Sequence, residues 1–169
     1  FSGHVTHDSG KTLARYVRCV RRGPTDVAVP RLTRTEPVGG YPVVADVVTG
    51  LVWQGCPADL TGASCAYGTI AVRTWQAALD WCEDSTWAGF SDWYLPNVGE
   101  LRSIVDDGRS SAPYIDSTAF PATPGNYFWS SSSHAGDVSG AWGGAFLDGA
   151  VHRYGKTGTL YVRCARRGP

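Results

Sequence analysis

Methionine is absent from this 169-residue chain, lysine occurs only at Lys11 and Lys156, and net charge is missing too, with 15 Lys+Arg balanced by 15 Asp+Glu. A balanced chain has no global field with which to draw in nucleic acid or an anionic membrane surface, so neither partner is expected. No run of apolar residues approaches the roughly 20 needed to cross a bilayer, and no membrane span is expected. There is no C-x-x-C pair, and His4, His7, His134 and His152 have no ligand spacing, which argues against a zinc knuckle or a transition-metal site. An initiator Met and a signal peptide are also lacking, from which the chain is expected to begin inside a larger product. Poverty in Met and Lys, wealth in Gly, Ser, Thr and Trp, and five cysteines together read as an exported chain.

What the chain does contain is a copy of its own end. Phe1 to Pro24 aligns without a gap on Phe146 to Pro169, with identities at Phe1, His7, Gly10-Lys11-Thr12, Tyr16-Val17-Arg18-Cys19 and Arg21-Arg22-Gly23-Pro24. The expected organisation is therefore the C-terminal strands of a preceding repeat at 1–24, an inter-repeat linker at 25–40 and a complete repeat at 41–169. The linker expectation rests on Pro30, Pro37 and Gly39-Gly40 and on the lack of a hydrophobic period. A domain near this size buries roughly two thirds of its unfolded surface and needs no partner to fold. The orphan tail alternates like a strand, so it is expected to complete another copy, and neighbouring copies of the repeat, head to tail, are the expected partners. Basic residues crowd the N-terminal fifth (Lys11, Arg15, Arg18, Arg21, Arg22, Arg31, Arg34) and acidic ones the middle (Asp80, Glu83, Asp84, Asp92, Glu100, Asp106, Asp107), a pattern read as two solvated faces.

The complete repeat holds Cys56, Cys65, Cys82 and Cys164, an even set, with Cys19 left to the tail. Cys56 and Cys65 flank a Pro-, Gly- and Ser-containing loop that suits a local disulfide. Cys82 falls on the apolar side of a predicted helix and Cys164 on that of the final strand, so these two are expected to pair, and Cys19 to pair with the preceding copy's equivalent of Cys82. Tyr41 to Ala45 and Leu51 to Gln54 read as a hairpin whose Gly50 supplies a positive φ. Thr74 is the predicted N-cap of a first helix carrying Trp75, Ala78, Leu79 and Cys82 on one face. Asn97 with Glu100 predicts a capping box for a second helix, lined by Val98, Leu101 and Val105 and ended by Gly108. Strands are expected at 127–130, 141–146, 150–154 and 160–166, the last with Leu160, Val162 and Cys164 inward and Tyr161, Arg163 and Ala165 outward. Helices early and antiparallel strands late make an α+β domain stabilised by disulfides.

Taken in order, Asp46…Thr49-Gly50-Leu51-Val52-Trp53-Gln54, Thr74-Trp75…Ala78-Leu79…Trp81-Cys82, Ala88-Gly89-Phe90-Ser91-Asp92-Trp93-Tyr94-Leu95-Pro96-Asn97…Glu100-Leu101, Phe128-Trp129-Ser130-Ser131, Trp142 and Tyr161-Val162-Arg163-Cys164 resemble the Lcl C-terminal domain family. Tyr94 departs from the family, which commonly carries Arg there. The resemblance implies a C-type-lectin-like fold, related to the formylglycine-generating enzyme group, used as an extracellular module of bacterial surface proteins, some of them adhesins for sulfated glycans. It implies no agreed enzymatic activity.

Candidate chemistry is sparse. Ser130 to Ser133 before His134 invites a nucleophile–base reading, but a Trp-Ser-Ser strand end is a structural signature in the family, and no catalytic residue is assigned. A calcium-binding lectin would need Glu-Pro-Asn or Gln-Pro-Asp, whereas Leu95-Pro96-Asn97 lacks the carboxylate; Asp106-Asp107 with Asp116 is the one set of oxygens weighed for an ion, and no metal or cofactor is expected. Trp53, Trp75 and Trp93 are assigned to the core, and Trp87, Trp129 and Trp142 to a ligand-facing late half. The candidate binding rim is Asn126, Tyr127, His134, Asp137, Trp142, Asp148, His152 and Arg153. The expected function is adhesion, glycan or cell-surface protein binding, or assembly of a surface fibre, at the cell surface or outside it. A cysteine-dependent oxidative enzyme and a purely structural filament subunit are the alternatives.

Overall fold

The computed structural model describes residues 29–169. The expectations for residues 1–24, Cys19 and its pairing included, lie outside the described residues. Asp46 organises the first hairpin: its Oδ1 accepts the Val48 amide at 3.0 Å and its carbonyl accepts the Gly50 amide at 2.9 Å. Gly50 takes φ +70°, which glycine adopts without steric cost, and the chain reverses from β2 (Val43–Asp46) into β3 (Leu51–Gln54) with Asp46 opposite Leu51.

This hairpin is the centre of a four-stranded antiparallel sheet in the order β1-β2-β3-β9, with β1 at Leu32–Thr35 and β9 at Ala165–Arg167. Part of the stretch expected to be linker is therefore an edge strand. Leu32-Thr33-Arg34-Thr35 has one apolar residue and no period to betray it; two arginines fasten it instead. Arg31 forks onto Asp46 at 3.1 and 2.7 Å, and Arg34 donates to the carbonyls of Gly55, Ala119 and Ala63. Within the basic crowd Arg31 and Arg34 are therefore structural, Lys11, Arg15, Arg18, Arg21 and Arg22 lie outside the described residues, and Asp80, Glu83, Asp84, Asp92 and Asp107 of the acidic crowd are exposed as expected.

After β3 the Cys56–Cys65 disulfide closes a loop containing the short β4 (Leu60–Thr61), which pairs with β5 (Tyr67–Gly68) just beyond it. Helix α1 (Trp75–Glu83) starts where Thr74 Oγ1 accepts the Ala77 amide, and it buries Ala78 and Cys82. A 3₁₀ turn at Trp87–Gly89 leads to α2 (Val98–Ser103), whose reciprocal cap is present: Asn97 Oδ1 accepts the Glu100 amide at 2.9 Å and Glu100 Oε2 accepts the Asn97 amide at 2.8 Å. Tyr94 donates to Glu100 Oε1 at 3.1 Å, so the residue that departs from the family steadies the capping carboxylate. Helix α2 stops at Ser103, short of the expected end at Gly108, because Ile104 leaves helical geometry and carries Val105 down into the core.

The late strands are β6 (Tyr127–Ser133), β7 (Gly140–Ala145) and β8 (Val151–Gly155), a three-stranded antiparallel sheet. Helix α2 lies close against β7: a Cβ on Gly144 would stand 2.9 Å from Leu101 Cδ2.

The segment 160–167 passes between the two sheets. Leu160 bridges to Arg73, Tyr161 to Phe128, and Ala165 to both Tyr94 and Trp53. Flanked on both sides, it does not alternate as expected: Arg163 and Ala165, expected outward, are as fully buried as Val162 and Cys164. Regular strand is confined to its last three residues. Cys164 bonds Cys82, tying α1 to this central segment. One apolar cluster gathers α1, Trp93, Trp129, Leu160 and Val162; the other gathers Trp53, Leu101, Phe120, Phe128 and Phe146. The chain is thus a mixed α and β domain with few helices, antiparallel sheets and two disulfides.

Arg163 is the unusual member of this core. Its guanidinium donates to the Gln54 carbonyl at 2.7 Å and Thr123 Oγ1 at 2.6 Å and lies 4.7 Å from the Phe120 ring centre, with no carboxylate partner among the described residues. Burial, helped by the positive charge of Arg34, pulls its pKa down to about 9.

Candidate functional site

Two places collect aromatic and polar side chains. The first is the β6–β8 sheet, which holds the expected rim. Cross-strand register sends its residues to opposite faces: Trp129, Gly143 and His152 are in line on one face, and Trp142 and Arg153 are opposite each other on the other. The rim is therefore two clusters. Tyr127, at the start of β6, meets His152 edge-on at 5.5 Å and Tyr154 at 5.1 Å, and His152 Nε2 lies 3.0 Å from Asp148 Oδ2. The Ala150 amide, with His152 adding to it against a small burial effect, holds the Asp148 carboxyl below its usual range. Asn126 is beside this group, its Oδ1 accepting the Tyr127 amide at 2.9 Å.

The second cluster is at the β6–β7 turn. The His134 ring lies 5.1 Å from that of Trp142, Arg153 forms an ion pair with Asp137, and Asp137 Oδ1 accepts both the amide and the hydroxyl of Ser139. Those Ser139 bonds, with Arg153 behind them, keep the Asp137 carboxyl below its usual range. Asp148 with His152 and Asp137 with Arg153 thus occupy one another, while His134 Nδ1 is buried without a hydrogen-bond partner among the described residues. Ser130, weighed as a nucleophile, donates its hydroxyl to the Trp142 carbonyl at 2.6 Å and is fully buried. Trp129 belongs to the core, not to a ligand face: it is fully buried and its Nε1 donates to the Arg73 carbonyl at 2.7 Å.

The second place lies at the C-terminal end of α1, where sequence reasoning did not look. A cleft of about 500 Å³ opens there between Tyr41, Asp59, Trp81, Asp84, Thr86 and Trp87. Each wall is braced from outside. Arg73 forks onto Asp59 at 2.6 and 2.8 Å and sets its guanidinium 3.8 Å from the Trp81 ring centre, fixing a carboxylate and an indole with one side chain. Across the cleft Trp87 Nε1 donates to the Pro42 carbonyl at 2.8 Å, and Tyr41 meets the Trp87 ring edge-on at 5.1 Å. The disulfide loop supplies Asp59, held at φ +70°. Ser85 is fastened by Gln54 Nε2 at 3.0 Å, while Asp84 and Thr86 line the opening without a side-chain partner among the described residues. Two sequence signals bear on this site: Trp87, expected to face ligand but in the late half, and Trp81, an indole at the exposed edge of the amphipathic pattern of α1.

Among the described residues no three His, Cys, Asp or Glu side chains converge as a metal site. Of the oxygens weighed for calcium, Asp106 accepts the Gly108 amide, Asp116 accepts those of Thr118 and Ala119, and Asp107 pairs with Arg102. No described helix is long and apolar enough to cross a membrane.

The Lcl C-terminal domain profile matches residues 42–166, spanning the hairpin, the disulfide loop, both helices and all three late strands. No curated protein matches the chain.

Proposed function

The chain belongs to the Lcl C-terminal domain family, and we propose that it is a non-catalytic extracellular module that binds a ligand, glycan or protein, in the service of adhesion. The observation that carries this reading is the braced aromatic cleft beside α1, a concave site of ordinary small-ligand size with Tyr41, Trp81 and Trp87 on its walls. Both disulfides suit an exported chain, and the fold is read as C-type-lectin-like, in keeping with α1 being tethered through Cys82 to the last segment of the chain. A cysteine-dependent oxidase would need a thiol, and the four described cysteines are all in disulfides, which weighs against that alternative. A filament subunit remains a second reading because residues 1–24 repeat 146–169.

Surface plasmon resonance of the disulfide-intact protein over immobilised cell-surface glycans and glycoproteins tests the reading. Saturable binding to at least one surface is expected. Binding to none of them by protein with an intact near-UV circular dichroism spectrum contradicts it, as does turnover of thiol peptides.

A further inference from the structure

The charge and the free groups of the α1 cleft narrow what it takes. The helix ends at its rim, so the negative end of the α1 dipole faces the opening, and the last turn holds no basic residue to offset it. Asp84 adds a carboxylate at the C-cap. Among the described residues no Lys or Arg lines the cleft, and Arg73, which braces its wall, has its fork committed to Asp59. An anionic ligand would meet this field with only neutral hydroxyls to donate to it. Sulfate and carboxylate groups are thus disfavoured, and the ligand is uncharged or cationic.

The hydrogen-bonding groups separate those two. Thr61, Asp84 and Thr86 face the cleft beside the rings; a methylated ammonium group would be drawn by the carboxylate's charge but would leave the two threonine hydroxyls unpaired. A sugar ring uses both kinds of wall: its apolar C–H face stacks on an indole or phenol, and its hydroxyls bond the carboxylate and threonines. Tyr41 and Trp87, crossed at 88°, present one ring face and one ring edge rather than closing a cage. We propose that the cleft at the end of α1 is a saccharide site for uncharged sugars, with Trp81 as the stacking platform and Asp84 as the principal hydroxyl acceptor. This rests on the ligand-binding reading above and goes beyond it in naming site and ligand class.

The test is calorimetric titration with uncharged oligosaccharides of glucose, galactose, mannose and N-acetylglucosamine, with heparin as the sulfated comparator and tetramethylammonium as a competitor. At least one uncharged series should bind. Trp81→Ala should weaken it by about tenfold, the worth of one aromatic stack, and Asp84→Asn should weaken it severalfold with the fold intact by circular dichroism. Trp142→Ala, on the late sheet, should leave affinity unchanged. Binding of heparin alone, displacement by tetramethylammonium, or sensitivity to Trp142→Ala in place of Trp81→Ala overturns the inference. If no uncharged sugar binds but a cell-surface protein does, the saccharide site falls and the ligand-binding reading stands; if nothing binds, both fall.

Discussion

In the β6–β8 sheet, Tyr127, His152 and Tyr154 touch one another and Arg153 is paired with Asp137; at the end of α1, Arg73 and Pro42 brace Trp81 and Trp87 from behind and leave the cleft between them open. Both regions hold aromatics beside carboxylates. The difference is where their partners come from. In the late sheet the charged partners lie on the same surface, Asp148 with His152 and Asp137 with Arg153, so these groups are satisfied in place, His134 Nδ1 excepted. Around α1 Arg73 covers one face of Trp81 and the Pro42 carbonyl holds the Trp87 N–H, which fixes both rings while they still line the open cleft.

The comparison breaks most completely if the two regions are uncoupled. Cys82 and Cys164 join α1 to the segment running between the sheets, at a separation of 82 residues, whereas Cys56 and Cys65 are 9 apart. Replacing the first pair by alanine should cost about 4 kcal/mol by the chain-entropy estimate and the second about 3. Urea denaturation of both variants checks the order; a larger loss for the short loop would show that the long bridge is not the main tether.

Arg163 probes the same junction. Arg163→Ala leaves a cavity and strips the Gln54 carbonyl and Thr123 hydroxyl of their donor, an expected cost of about 3 kcal/mol. Arg163→Met keeps the volume without the unpaired charge and should recover most of that loss. Equal destabilisation by the two would mean that the guanidinium's bonds, not its volume, hold the junction.

Asp46 contributes less, because Arg31 is partly open to water. Burial alone would raise its pKa, but bonds from Arg31 and from the Val48 amide and Thr49 hydroxyl outweigh that, and the net shift is downward. A depressed native pKa gives stability that is present above the ordinary carboxylate range and lost as pH falls through the native value. Asp46→Asn should therefore cost about 1–2 kcal/mol at neutral pH, and the two proteins should converge in acid. Thermal melts at pH 7 and pH 2 measure this; a constant gap would contradict it. At the small end, His152→Ala breaks a pair in which both side chains are largely exposed, and its effect should stay within about 0.5 kcal/mol.

Features built from neighbours in sequence were legible. The Asn97–Glu100 cap, the Thr74 cap, the Gly50 turn and both disulfides follow from local chemistry or from the parity of the cysteines. Features made by packing were not. β1 has no hydrophobic period because Arg31 and Arg34 hold it, and the alternation of 160–166 vanishes because both of its sides are covered. The expected rim residues fall into two clusters because strand pleating divides neighbours along the chain between the faces of the sheet. Trp81 and Tyr41 are 40 residues apart in sequence and meet only across the cleft.

The central claim is that the open aromatic faces are those of the α1 cleft. Seven tryptophans give seven indole N–H probes, all within the described residues. Two-dimensional ¹⁵N–¹H spectra recorded during titration with an uncharged oligosaccharide that binds should show the Trp81 and Trp87 indole signals moving and saturating together while the Trp142 signal stays still. Movement of Trp142 with Trp81 and Trp87 unshifted would contradict the account.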